Sequence, residues 1–133
     1  MSAVPDREAK PLKSLTILLV EDEESLRQLT ELILRRAGFQ VLTAADGPPA
    51  IQILQKAQSR IDLVITDISL PRMNGHELAA RLRDLDANVK ILFASGSFGE
   101  PATMSLGGIE GVNFLQKPFT PTELLAAVNS ILS

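Results

Sequence analysis

Five short apolar runs, separated by stretches of helical period, constrain this chain more than any other feature. They are Leu15-Thr16-Ile17-Leu18-Leu19-Val20, Gln40 to Ala44, Ile61-Asp62-Leu63-Val64-Ile65-Thr66, Val89 to Ala94 and Val112 to Gln116. Apolar strings of this length suit strands covered on both faces. Between the first two, Leu26, Leu29, Ile33, Leu34 and Ala37 fall on one stripe of a helix from Glu24 to Ala37, and Gly38 follows where a left-handed C-cap belongs. Asp46-Gly47 makes a turn, and Pro48 or Pro49 fits the first turn of a helix bearing Ala50, Ile51, Leu54 and Ala57. A helix from His76 to Leu85 is expected to turn Leu78, Ala79, Leu82 and Leu85 inward. Thr120-Pro121-Thr122-Glu123 is a capping box with proline first, opening a last helix that runs through Leu124, Leu125, Ala127, Val128, Ile131 and Leu132. Buried strands alternating with helices predict an α/β fold of the (βα)5 kind, a doubly wound parallel five-stranded sheet with helices on either face.

The remaining segments are irregular. Met1 to Lys13 carries Pro5, Pro11 and several charges without a hydrophobic period, so residues 1–13 are expected to form a flexible tail or the end of a linker, and residues 14–133 the domain. Ile68 to Gly75 holds the turn formers Pro71, Asn74 and Gly75. Between Ser95 and Gly111, Gly96, Gly99, Pro101, Gly107 and Gly108 oppose helix formation, so any helix there is short, about Ala102 to Leu106.

Composition narrows the chemistry. The 133 residues contain no cysteine and one histidine, His76, which excludes disulfide frameworks, thiolate zinc sites and histidine-rich metal centres. A net charge of −3 with 4% aromatics argues against direct nucleic-acid binding, which usually shows a basic face. The apolar strings are too short to span a bilayer, and the first residues lack the apolar run of a signal peptide. A cytoplasmic, single-domain protein is expected, with its chemistry resting on carboxylates, hydroxyls and lysine.

In parallel α/β sheets, functional residues gather where the strands end. Here the first strand ends in Glu21-Asp22-Glu23-Glu24, the third in Asp67, the fourth in Ser95 and the fifth in Lys117-Pro118. An acidic run after a strand is by itself usually solvated surface. With Asp67 and Lys117 brought to the same rim, crowded carboxylates repel unless a cation joins them, and an oxygen-bound Mg²⁺ is the natural resolution. Glu23 and Glu24 suit the start of the first helix instead, where acids meet the positive end of its dipole. An aspartate beside Mg²⁺ can attack a phosphoryl group, whose spread charge calls for metal, lysine and hydroxyl partners. His76 opens a helix directly after Gly75 and reads as a surface histidine rather than a phosphodonor.

Three motifs carry a family resemblance: Leu18-Leu19-Val20-Glu21-Asp22-Glu23, then Asp62-Leu63-Val64-Ile65-Thr66-Asp67-Ile68-Ser69-Leu70-Pro71-Arg72-Met73-Asn74-Gly75, then Phe114-Leu115-Gln116-Lys117-Pro118-Phe119. In order, and each at an expected strand end, they resemble the receiver (response-regulator) domain of two-component signalling over roughly Ser14 to Ser133. The resemblance implies a flavodoxin-like sheet of strand order 2-1-3-4-5. It implies that Asp67 is the phosphoacceptor, and that Glu21, Asp22, Asp67 and the backbone carbonyl of Ser69 hold Mg²⁺. Ser95 matches the hydroxyl that turns towards the phosphoryl group, Lys117 the lysine that pairs with it, and Phe114 the switch aromatic. The Lys117-Pro118 bond is usually cis in this family. Glu21-Asp22 is an accepted variant of the commoner Asp-Asp.

Ile91 to Gly96 together with Phe114 to Pro121 more particularly resembles receivers at the C-terminus of hybrid sensor histidine kinases. The implied partner is a histidine kinase or histidine phosphotransfer protein, with a weak homodimer also open. The chain is then a stand-alone receiver or part of a hybrid kinase, and catalyses only its own phosphorylation and dephosphorylation. Two alternatives compete. An aspartyl-phosphate-forming phosphatase typically needs a second aspartate two residues after the nucleophile, where this chain has Ser69. A phosphorylation-independent interaction module would have no need of the filled site.

Overall fold

The computed structural model of the chain describes residues 15–57, 60–96 and 112–133. The expectations for the segment Met1 to Lys13 and for a short helix at Ala102 to Leu106 lie outside those residues. In chain order the elements are β1 (Thr16–Val20), α1 (Glu24–Arg36), β2 (Gln40–Ala44), α2 (Gly47–Ala57), β3 (Leu63–Asp67), α3 (Gly75–Leu85), β4 (Lys90–Ser95), β5 (Val112–Gln116) and α4 (Pro121–Leu132). The strands form one sheet, ordered β2-β1-β3-β4-β5, and every neighbouring pair is parallel. This is the doubly wound parallel five-stranded sheet that the apolar runs predict, with four helices among the described residues.

Side chains alternate across the sheet with the period of a strand, so each strand feeds two cores. Leu18, Val20, Val64, Ile91 and Phe93 face one way and pack with Ala50, Leu54, Leu78, Ala79 and Leu82 from α2 and α3. Ile17, Leu19, Leu63, Ile65 and Leu92 face the other way and pack with Leu34, Leu124 and Val128 from α1 and α4. Burial on both faces is why β1, β3 and β4 are nearly unbroken apolar strings. The sheet edge is different: in β2, Gln40 and Leu42 are exposed while Val41 and Ala44 are buried.

The helix ends use local chemistry to satisfy backbone groups that have no partner within the helix. After α1, Gly38 adopts φ 104°, its N–H donates to the Arg35 carbonyl, and the Phe39 N–H donates to the Leu34 carbonyl. This pairing is a Schellman motif, and buried Phe39 and Leu34 supply its apolar contact. At α4, the Thr120 Oγ1 accepts from the Glu123 N–H at 3.0 Å while Glu123 Oε1 accepts from the Thr120 N–H at 2.9 Å, completing the capping box. Such a cap is worth about 1 kcal/mol. Asn74 caps α3 by accepting from the Glu77 N–H at 2.8 Å. His76 is exposed on the first turn of that helix.

Three sequence expectations are corrected. On α1 the inward face centres on Thr30 and Leu34, leaving Leu29 55% exposed and Ala37 exposed at the C-cap. At about 100° per residue, Leu29 sits well around the helix from that centre, and Ala37 has passed its end. On α3, Leu85 stands 42% exposed, because it occupies the last position, beyond the buried stripe of Leu78, Ala79 and Leu82. The third strand starts at Leu63 rather than Ile61: the Asp62 N–H donates to the Thr16 carbonyl at 2.9 Å, but the Thr16 N–H goes to the Asp62 side chain, at 2.9 Å from Oδ2, so the pairing there is half backbone and half side chain.

Gly75 marks the tightest point between α3 and the sheet. A Cβ added there would lie 2.8 Å from the Asp67 carbonyl oxygen, the Ile68 Cα and the Phe93 ring. Two of these three are backbone atoms and cannot give way. Gly75→Ala is therefore expected to destabilise the fold by about 1–3 kcal/mol, as overpacked cores do. Gly96→Ala, whose Cβ would meet nothing nearer than 3.7 Å among the described residues, serves as the control and should stay within about 0.5 kcal/mol of the native chain. Urea denaturation followed by circular dichroism decides; equal midpoints for the two variants would contradict the packing argument.

Candidate functional site

The strand order places β1 beside β3 at the centre of the sheet, where the chain's connections leave in opposite directions, and a crevice opens beyond their carboxyl ends. Glu21 follows β1 directly and is held there twice through its backbone. Its N–H donates to the Ala44 carbonyl at 3.0 Å, extending the β1–β2 ladder, and its carbonyl accepts from Arg27 Nη1 at 2.8 Å. Asp67 is the last residue of β3, with the fully buried Thr66 before it donating its hydroxyl to the Asp67 carbonyl at 3.1 Å. Lys117 follows β5, and its N–H donates to the Ser95 carbonyl at 2.8 Å, so the ends of β4 and β5 are joined.

These backbone positions bring charged side chains together from far apart in sequence. Lys117 Nζ lies 2.7 Å from Glu21 Oε1 and 3.1 Å from Asp67 Oδ2, spanning 96 and 50 residues. Glu21 Oε2 accepts from the Glu23 N–H at 3.1 Å, so both oxygens of this buried carboxylate are engaged. Asp67 Oδ1 accepts from the Ser69 N–H at 3.2 Å. Glu21, the exposed Asp22 and the partly buried Asp67 each offer a carboxylate oxygen, all within 4.8 Å of one another. A purely oxygen donor set of this charge fits a hard divalent cation such as Mg²⁺ and no soft metal.

Glu21, Asp22, Asp67 and Lys117 thus share one rim, Ser69 touches it through its N–H to Asp67, and two further residues are placed differently. Ser95 ends β4 beside Gln116 in register, joined to the site through its backbone bond to Lys117. Phe114 lies one layer below, its ring 5.8 Å from that of Phe93 and inclined by 24°, packed against the core shared by α2 and α3. The Lys117–Pro118 peptide is cis. Sequence reasoning missed the supporting residues Arg27, Thr66, Asp46 and Arg72. A basic residue six positions after Glu21 on the following helix is a weak hint for Arg27; for the Asp46–Arg72 pair, 26 residues apart, no local pattern exists.

Burial alone would lower the Lys117 pKa, but hydrogen bonds and charge from Glu21 and Asp67 outweigh it and hold the ammonium above its ordinary value. The stabilisation linked to that shift is fully present below the unfolded-state value of about 10.4 and is lost as pH rises through the higher folded-state value. The difference in unfolding free energy between the native chain and Lys117→Met, in chelator-treated buffer, should stay flat from neutral pH to about pH 10 and shift only above it. A change of that difference already between pH 7 and 9 in urea titrations would contradict the assignment of charge at this site.

The comparisons with known proteins agree with this geometry. The family model described as the response regulator receiver domain matches residues 17–129. The uncharacterized transcriptional regulatory protein YbdJ of Bacillus subtilis (strain 168) is 32% identical over 122 residues, covering 91% of this chain and 52% of that protein. The sensor kinase CckA of Brucella abortus (strain 2308) is 33% identical over 119 residues, covering 90% of this chain and 13% of the kinase. The chain therefore spans about half, or far less, of the length of these relatives. Among solved structures, the receiver domain from the hybrid histidine kinase CckA superposes with a TM-score of 0.76 at 33% identity, covering 89% of this chain and 99% of that one.

Proposed function

The chain belongs to the response regulator receiver domain family, and from that premise we propose that Asp67 accepts a phosphoryl group from a phosphohistidine on a histidine kinase or phosphotransfer protein. The observation that carries this reading is the convergence on Asp67: it ends the central strand with its carboxylate 3.1 Å from Lys117 Nζ and grouped with Glu21 and Asp22. In the transfer, an Asp67 carboxylate oxygen forms a bond to phosphorus as the phosphorus–nitrogen bond of the donor breaks and the imidazole leaves with that electron pair. The product is an aspartyl phosphate.

Glu21, Asp22, Asp67 and the backbone carbonyl of Ser69 would hold Mg²⁺. Bound there, the ion would offset the crowded carboxylates and the charge on the phosphoryl oxygens. Lys117, kept protonated by its two carboxylate partners, supplies a further positive charge beside the incoming group. Ser95 offers its hydroxyl to a phosphoryl oxygen at the end of the adjacent strand.

The new group adds up to two negative charges at the rim. Ser95 and Lys117 follow the phosphoryl oxygens, and β5 with Phe114 shifts between two states that a partner distinguishes. The chain acts on its own aspartate and serves as a signalling module within a phosphorelay, with residues 14–133 as the receiver. The likeness to the CckA receiver favours a hybrid-kinase context. A cytoplasmic setting goes with that context, and among the described residues no helix is long and apolar enough to cross a membrane.

The test is phosphorylation with acetyl phosphate followed by intact mass spectrometry. The native chain with Mg²⁺ is expected to gain one phosphoryl group, Asp67→Asn to gain none, and chelation of Mg²⁺ to suppress the gain. Uptake by Asp67→Asn equal to that of the native chain would remove Asp67 from its role.

A further inference from the structure

Asp46 is a buried carboxylate that phosphoryl transfer as described above does not use. It lies in the turn between β2 and α2. Its Oδ1 accepts from the Gly47 N–H at 2.7 Å and from the Arg72 N–H at 3.4 Å, and its Oδ2 is paired with Arg72 Nε. Burial on its own would raise the carboxyl's pKa. The hydrogen bonds from Arg72 and Gly47, with the Arg72 charge, outweigh burial and hold it below the usual range. A buried carboxylate is costly unless it is paired and hydrogen-bonded, so this one binds its partner's loop firmly.

That partner stands in the loop running from Asp67 to Gly75, which contains Ser69. The loop's base is closed by the Gly75 N–H donating to the Ile68 carbonyl at 2.6 Å. Its far side is tethered at two successive residues. Arg72 is held by Asp46, and Met73 packs over Gly47, where an added Cβ would come 2.9 Å from Met73 Sδ. Pro71, just before the tether, has a fixed φ. With both ends pinned and a stiff residue between, Ser69 has little freedom of its own.

We propose that the Asp46–Arg72 pair is a positioning latch, which sets the loop so that the Ser69 backbone is presented to a metal at the Glu21–Asp22–Asp67 rim. This rests on the Mg²⁺ reading given above. Asp46 and Arg72 act through the loop and touch no reacting atom. The Arg72 side chain is 65% exposed, so its truncation removes the ion pair, the strongest part of the tether, without opening the core, while the longer Arg72 N–H bond and the Met73 contact remain.

Two effects of Arg72→Ala have opposite signs. Losing a cation near a divalent-metal site would tighten Mg²⁺ binding through space, whereas a released loop weakens it. Mg²⁺ titration by calorimetry, using the full chain, separates them. Arg72→Ala is expected to bind Mg²⁺ about tenfold more weakly, the low end for loss of an outer partner of a metal ligand. Arg72→Lys should fall between, since it keeps a charge but not the guanidinium fork. Hydrogen exchange at the Ser69 and Met73 amides of the metal-free chain should quicken in step. Should the stranded Asp46 charge unsettle the fold, the double variant Asp46→Asn with Arg72→Ala removes it and is expected to bind as weakly as Arg72→Ala. Binding by Arg72→Ala that is unchanged or tighter, or loop exchange that is unaltered, would overturn the latch. Failure of the native chain itself to bind Mg²⁺ overturns the metal reading first, and the latch's role with it.

Discussion

One ammonium joins three strands of this protein. Lys117 follows β5, yet its Nζ reaches Glu21 after β1 and Asp67 at the end of β3. Two carboxylates on a rim of partly excluded water repel each other, and a cation between them removes that repulsion. The arrangement tolerates little displacement, because each partner is also fixed through its backbone: Glu21 by Ala44 and Arg27, Lys117 by Ser95. The rim is therefore a set of charges held at its base by the sheet and at its open side by the loop N–H groups of Glu23 and Ser69.

The sheet can hold them because it is buried on both faces. Alternating side chains feed one core under α2 and α3 and another under α1 and α4. A strand locked from both sides cannot slip by one residue without exchanging its two faces. Asp67 at the end of β3 is thus placed by Val64 and Ile65 as much as by its own contacts. At Phe114 on the edge strand β5, the ring stacks on Phe93 and remains partly exposed.

Much of this was readable from residue order alone. Parallel strands covered on both faces must be apolar throughout, so β1, β3 and β4 announce themselves, and the capping box at Thr120 and the Schellman glycine at Gly38 are local chemistry. The errors fell where geometry beyond the helix period decides burial. Leu29, Ala37 and Leu85 are apolar residues at or near the expected spacing that are exposed, because helix ends overhang the sheet and Leu29 lies on the flank of α1 turned away from Thr30 and Leu34. The start of β3 lies at Leu63 because the Thr16 N–H goes to the Asp62 side chain, leaving only the Asp62 N–H in a backbone bond to Thr16.

Residue order by itself established the fold class, the strand ends and the carboxylates, lysine and hydroxyl that stand at them, because hydrophobic period and turn chemistry are short-range properties. Which of those groups touch was decided only by the tertiary structure. The Lys117 bridge and the Asp46–Arg72 pair link residues 96, 50 and 26 positions apart, and such contacts depend on strand order and on how loops pack against neighbouring turns. No local pattern encodes that, since a charged side chain in a loop looks the same whether it faces water or a buried partner.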